Sequence, residues 1–167
     1  GYGFVEWLQK DKNINLNSEK KVKIAIGQDS RLSEGDIKTA LMAGMAPFAI
    51  EIVDVGLSTT PAMFMSTQYK DYATDAAIMI TASHLPFEYN GLKFFTKTGG
   101  AEHEDIEEIL EYAFEMPEAF VEKEQAAVVT EMDLLSTYAA DLQDKIRKGI
   151  ASAENAEQPL TGRHIIV

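Results

Sequence analysis

Ala76-Ala77-Ile78-Met79-Ile80-Thr81 is a short apolar run, Ala82-Ser83-His84-Leu85-Pro86-Phe87-Glu88-Tyr89-Asn90 a polar loop, and Leu92-Lys93-Phe94-Phe95-Thr96 a second strand-like run. The first run is too short for a helix and reads as a buried strand, and its successor lies close enough in sequence to pair with it antiparallel. Working back towards the N-terminus, Val22-Lys23-Ile24-Ala25-Ile26 alternates little and is bounded by the turn-prone Gly27-Gln28-Asp29-Ser30, which marks another buried strand. Ser33 and Asp36 resemble a capping box, and Ile37, Ala40, Leu41, Gly44 and Met45 follow at helical spacing, so a helix is expected from about 34 to 48. Ile50 to Val55 gives a strand ending at Gly56, and Thr60-Pro61 supplies an N-cap and a first-turn proline for a helix reaching about Tyr69. The order strand, helix, strand, helix, strand implies right-handed crossovers and a parallel sheet covered by helices. The expected fold is α/β: a three-layer α/β/α domain with a mostly parallel mixed sheet of about four strands.

Working forward, a third helix is expected from near Glu102, with Ile106, Ile109, Leu110, Ala113 and Phe114 on one face and carboxylates at its positive N-terminal end. Leu135, Tyr138, Leu142 and Ile146 make a fourth helical stripe, closed by Lys145, Arg147, Lys148 and Gly149. The domain is therefore expected over residues 1–149, followed by a linker over 150–161. Residues 162–167 then read as the first strand of a second domain, stopping in mid-run.

The 167 residues are 46% apolar and 25% charged, enough for one domain with a real core, which excludes intrinsic disorder and coiled coil. Fifteen Lys and Arg against 27 Asp and Glu give a net charge of −12, which repels phosphate backbones and anionic lipid, so neither nucleic acid nor membrane is an expected partner. The acid is concentrated: residues 101–133 carry twelve carboxylates and one lysine, a net −11, leaving −1 on the rest, nearly neutral and able to hold an anionic small molecule. That run reads as the solvated face of a helix. With no cysteine there is no disulfide framework, thiolate nucleophile or Cys-ligated zinc. No apolar run approaches the roughly 20 residues that cross a bilayer, and Gly1 to Lys10 lacks a basic segment leading into an apolar stretch. A cytoplasmic location is expected.

A dinucleotide fingerprint, a P-loop, a His-Glu-x-x-His pair and a Gly-x-Ser-x-Gly elbow are all missing. The loop beyond Thr81 leaves the carboxyl end of an inferred parallel strand, where open α/β sheets bind ligands, and this makes Ser83 a candidate. A serine hydroxyl serves as a nucleophile or phosphate carrier when a base and cations lie close, and His84 and Lys93 supply both types. Arg31 follows the first strand at the same sheet edge. The bland alternative stays open: Ser83, Pro86, Asn90 and Gly91 are also plain turn chemistry, and Arg31 a partner for a nearby carboxylate. His103, at a helix start, and His164 are read as structural.

Three separated segments then coincide. Gly27-Gln28-Asp29-Ser30-Arg31-Leu32-Ser33, Thr59-Thr60-Pro61 and Thr81 to Lys93 resemble, in order and spacing, the α-D-phosphohexomutases, the phosphoglucomutase and phosphomannomutase superfamily, over roughly residues 22–167. The resemblance implies the N-terminal domain of a hexose-phosphate mutase. In such an enzyme Ser83 carries a phosphoryl group, passes it to a hexose monophosphate to form a bound 1,6-bisphosphate, and takes back the other phosphate. It implies Mg²⁺ held by a phosphoserine oxygen, an activator of the glucose 1,6-bisphosphate type, acid/base help from Lys93 and His84, and phosphoryl-charge stabilisation by Arg31. It implies three downstream domains, II to IV, with the metal, sugar-selecting and distal phosphate loops, and an isolated first domain without turnover. Leu85 departs from the asparagine that commonly follows the Ser-His pair. The competing reading is a non-catalytic relative that keeps the fold for binding or scaffolding.

Overall fold

The computed structural model describes residues 1–17, 19–31, 34–121, 128–150, 157–164 and 166. Ser33, expected to cap the first predicted helix, lies outside them. Among the described residues six helices and six strands follow in the order α1 (Tyr2–Lys10), β1 (Val22–Gln28), α2 (Glu34–Met45), β2 (Ile50–Leu57), α3 (Thr60–Ser66), β3 (Ala76–Ile80), β4 (Leu92–Thr96), β5 (Gly99–Gly100), α4 (His103–Phe114), α5 (Glu118–Val121), β6 (Val128–Glu131) and α6 (Leu134–Ile150). The sheet order is β5-β4-β3-β1-β2-β6. β1 pairs in parallel with β2 and β3, and β6 in parallel with β2. β4 runs antiparallel to β3, with Ile80 opposite Leu92 and Met79 opposite Lys93.

β3 is apolar throughout and β1 and β2 nearly so at their centres, because both faces of these strands are covered. Ile24, Ile26, Ile52, Ile78 and Ile80 join a core with Phe4, Trp7, Leu8, Leu41, Met45 and Ile109. Ala25, Val53, Ala77 and Met79 point the other way, to Ala62 and Met63 of α3 and Leu134 of α6. Helix α2 thus covers one face and α3 the other, giving the three layers expected.

Four details differ from the sequence-based expectation. The sheet has six strands rather than about four, because the two-residue β5 and the wholly exposed β6 carry no burial pattern to read. Helix α1 is new: Phe4, Trp7 and Leu8 at positions i, i+3 and i+4 are buried under the sheet. It packs so closely on α4 that a Cβ at Gly3 would run into the Ile109 carbonyl and the Ala113 backbone and side chain. The cap of α3 is Thr59, whose hydroxyl accepts the Ala62 N–H at 3.3 Å, not Thr60, and the helix gives way to turns after Ser66. The stripes on α4 and α6 are only partly buried: Ile109 is covered, but Leu110 and Phe114 face water, Phe114 being 87% exposed, and Leu142 and Ile146 are about 40% exposed. Contact with α1 fixes the buried side of α4, where Trp7 Nε1–H donates to Glu108 at 3.1 Å and Lys12 pairs with Asp105 at 2.8 Å.

Helix α6 ends at Ile150, one residue beyond the expected domain end. Residues 151–156 of the expected linker lie outside the described residues, and beyond them Arg147 Nε–H donates to the Glu157 carbonyl at 3.2 Å. Arg163 closes a turn onto Leu160, and residues 162, 163, 164 and 166 form no strand; 165 and 167 lie outside the described residues. Among the described residues, no helix is long and apolar enough to cross a membrane.

Candidate active site

The chain leaves β1 through α2 on one face and returns to β3 through α3 on the other, so the crevice above the carboxyl ends of β1 and β3 is a switch point in the topology. Two segments fill its rim: Asp29 to Arg31 after β1 and Thr81 to Gly91 after β3. The Asp29 N–H donates to the Ile80 carbonyl at 3.1 Å, and the Thr81 N–H to the Gly91 carbonyl at 2.9 Å, which closes the base of the loop. A Cβ on Gly91 would stand 3.0 Å from the Thr81 carbonyl oxygen, so glycine is what lets the two ends meet. Between them lie two tight turns, with the Leu85 N–H on the Ala82 carbonyl at 3.1 Å and the Tyr89 N–H on the Pro86 carbonyl at 3.0 Å.

Arg31 occupies the centre of this loop and is buried. Its Nε–H donates to Asp29 Oδ2 at 3.0 Å. Nη1 donates to the carbonyls of Pro86 at 2.6 Å and Tyr89 at 2.8 Å, and Nη2 to those of Ser83 at 3.0 Å and Leu85 at 2.9 Å. A guanidinium has five N–H donors, and all five are engaged. Asp29 also accepts the Thr81 hydroxyl at 2.7 Å and the Arg31 backbone N–H at 3.3 Å. Burial alone would raise its pKa; the hydrogen bonds from Thr81 and Arg31, with the Arg31 charge, outweigh that and hold the carboxyl below its usual range.

Ser83 follows at once. Its N–H donates to Thr81 Oγ1 at 2.9 Å, its carbonyl accepts from Arg31, and its φ of +57° lies in the left-handed region that a non-glycine residue enters at a cost of about 1–2 kcal/mol. The residue is exposed and lines a cleft of about 380 Å³ together with Asp29, Ser30, Arg31, Leu85 and Phe87. The structure therefore brings Arg31 and Ser83 together. It places His84 and Lys93 nearby but not on that cleft: both are exposed, and among the described residues neither side chain has a hydrogen-bond or ion-pair partner. His103 sits on α4 beside Glu107 at 3.4 Å, and His164 lies in the turn segment after α6, apart from the crevice.

Sequence reasoning did not assign roles to Asp29 and Thr81. Their signal is local: Asp-x-Arg after one strand and Thr-x-Ser after the next are two-residue spacings at which a short side chain bonds the backbone two positions on. Leu85 contributes its backbone N–H and carbonyl to the loop while its side chain is 48% exposed, so the departure from asparagine leaves the clamp intact. Among the described residues no group of three or more His, Cys, Asp or Glu side chains could hold a metal ion, and the nearby Asp29 already accepts three donors.

The family model described as phosphoglucomutase/phosphomannomutase, alpha/beta/alpha domain I, matches residues 1–119, so the match takes in α1 and starts earlier than the motifs alone indicated. A phosphoglucosamine mutase of Caldanaerobacter subterraneus subsp. tengcongensis is 42% identical over 99 residues, 57% of this chain and 22% of that protein. One of Clostridioides difficile is 38% identical over 94 residues, 56% of this chain and 20% of the relative. The chain thus aligns with about a fifth of the length of these relatives. A solved phosphoglucomutase/phosphomannomutase family protein from Burkholderia thailandensis superposes with a TM-score of 0.62 over 90% of this chain and 32% of its own, at 19% identity, a likeness of fold. With the matched segment running from α1 through the serine loop to α5, the chain belongs to the phosphoglucomutase/phosphomannomutase domain I family.

Proposed function

We propose that this chain is the phosphoserine-bearing domain of a hexose-phosphate mutase. The observation that carries the reading is Ser83: an exposed hydroxyl at the switch point of the sheet, on a backbone fixed from both sides by buried groups. In the forward step the free hydroxyl of a sugar monophosphate attacks phosphorus on phospho-Ser83. The Oγ–P bond breaks, the hydroxyl proton leaves, and Ser83 recovers a proton, giving a bound 1,6-bisphosphate. After the intermediate reorients, Ser83 Oγ attacks the other phosphorus and the product leaves with its proton restored. Phosphoryl transfer of this kind rests on positioning and charge stabilisation, and the buried Arg31 adds fixed positive charge beneath the serine. His84 and Lys93, unpaired among the described residues, are the proposed proton carriers.

A phosphate on Ser83 would be this chain's ligand to Mg²⁺, whose chemistry there is neutralisation of the charge on the transferring group. The remaining ligands, the sugar-selecting residues and the distal phosphate site belong, on this reading, to downstream domains II to IV, which follow the segment after α6. Among glucose, mannose and glucosamine phosphates, the names of the two relatives favour glucosamine phosphate. A cytoplasmic location is part of the same proposal and is checked by cell fractionation.

The test is intact mass with phosphopeptide mapping of the complete protein after incubation with glucose 1,6-bisphosphate and Mg²⁺. One phosphoryl group on Ser83 is expected. An unmodified Ser83 in folded protein would overturn the reading and leave a binding or scaffolding relative. The 167-residue chain alone is expected to show no mutase turnover.

A further inference from the structure

The two polar groups of the Ser83 backbone are both tied to one carboxylate. From its N–H the path runs to Thr81 Oγ1 at 2.9 Å and from the Thr81 hydroxyl to Asp29 Oδ2 at 2.7 Å. From its carbonyl the path runs to Arg31 Nη2 at 3.0 Å and from Arg31 Nε–H to the same Asp29 oxygen at 3.0 Å. The peptide so held has a left-handed φ of +57°, a conformation that persists in a non-glycine residue only where its surroundings over-determine it. Thr81 is buried, so water replaces a lost bond at its hydroxyl poorly.

We propose that Asp29 and Thr81 are positioning residues for Ser83, with the Asp29 carboxylate as the anchor that fixes both ends of the serine peptide. The proposal rests on the reading of Ser83 as phosphoryl carrier. A carboxylate suits this place best. Three donors converge on Asp29: the Thr81 hydroxyl, Arg31 Nε–H and the Arg31 backbone N–H. An ionised carboxylate is acceptor-only and takes all three, whereas an amide must turn an NH₂ towards one of them and loses a bond. Thr81 must in turn accept and donate at once, which a hydroxyl does and a methyl cannot. Neither residue needs to touch the sugar. Their effect is to hold Ser83 Oγ on the line of attack, where a displacement of about 1 Å costs on the order of 10²-fold in rate.

The experiment uses the complete protein with Thr81→Val, Thr81→Ser and Asp29→Asn. Thr81→Val keeps the shape of the side chain and removes the hydroxyl. Expected is a fall in kcat of about 10²-fold for Thr81→Val and a smaller fall for Asp29→Asn, whose amide oxygen can still accept from Thr81 and Arg31 Nε–H, with KM for the sugar phosphate unchanged, and restoration of most of kcat in Thr81→Ser. Wild-type kcat in Thr81→Val, or equal losses in Thr81→Val and Thr81→Ser, overturns the proposal. Where Thr81→Val does not fold, amide hydrogen exchange on the wild-type protein decides: strong protection of the Ser83 N–H supports the anchor, and exchange at the free-peptide rate overturns it. A wild-type protein that takes no phosphoryl group from glucose 1,6-bisphosphate sinks the mutase reading instead, and the exchange measurement still judges the anchor by itself.

Discussion

Among the described residues two clefts open along the carboxyl edge of the sheet, and each holds an aspartate in an ion pair, but only one of them holds a loop. The cleft over β1 and β3 is the smaller, about 380 Å³, and its wall is a loop drawn around a buried guanidinium whose every donor is aimed at backbone or carboxylate. The cleft by β2 and β6 is larger, about 570 Å³, lined by Lys38, Asp54, Val55, Gly56, Glu131, Met132 and Asp133. There Lys38 Nζ lies 2.8 Å from Asp54 Oδ2, and the Gly56 N–H donates to Asp54 Oδ1 at 2.9 Å, one ion pair steadied by one backbone bond. Size does not mark the site; what distinguishes the first cleft is that polar groups hold an exposed hydroxyl in one strained geometry.

The largest expected effect is at the reacting atom. Ser83→Ala in the complete protein should lower mutase turnover by about 10⁴-fold or more, because the carrier of the phosphoryl group is gone. A steady-state assay at saturating sugar phosphate reads this directly, and retention of full turnover would make the two clefts equivalent. Next comes the clamp. Arg31→Lys keeps the charge but replaces five forked donors by three on a flexible stem, leaving loop carbonyls and the Asp29 carboxylate without partners. A loss of about 3 kcal/mol in urea unfolding is expected, together with slower labelling of Ser83 by the bisphosphate. Unchanged stability would show that the loop holds itself.

How far the sequence carried this picture depends on whether a residue's role was local. The alternating partition of β1, β2 and β3 between two cores is readable because burial on both faces demands apolar side chains at consecutive positions. The antiparallel β4 follows from the short connection before it. Ser83 and Arg31 were found from position at strand ends and from the resemblance, but the form of their contact was not legible. Nothing in the spelling of Asp29-Ser30-Arg31 says that the guanidinium will meet the carbonyls of residues 83, 85, 86 and 89, since those acceptors carry no side-chain signature. Helix α1 is hard to read from sequence although Phe4, Trp7 and Leu8 have helical spacing, because a nine-residue stripe does not say which surface it will meet. Phe114 was assigned to a buried stripe on periodicity alone; the direction from which α1 packs on α4 decides which apolar residues are covered, and that is a tertiary fact.

A smaller effect is read at the Ser83 cleft by pH. The folded pKa of Asp29 lies below its ordinary value, so its ionised contacts favour the folded state at every pH above about 4 and are lost as pH falls through the depressed value. Protection of the Ser83 amide should therefore stay constant from pH 8 to 5 and decline only in stronger acid. A decline centred between pH 5 and 6 would mean that another group holds the serine.

The smallest expected effect comes from the larger cleft. Lys38 and Asp54 are each nearly one-fifth exposed at the side chain, and their attraction is offset by solvent and by the ordering of a long side chain. Replacing Lys38 by Met keeps much of the apolar stem and removes the ammonium, and Asp54 still accepts the Gly56 N–H. The change in stability should stay within about 1 kcal/mol, and both Ser83 labelling and turnover should remain at wild-type levels. A tenfold loss of turnover in Lys38→Met, with folding intact, would break the comparison in the most informative way. It would mean that a cleft without a fixed nucleophile still contributes to the reaction, and that rigidity of the loop around Arg31 is not what divides one end of this sheet edge from the other.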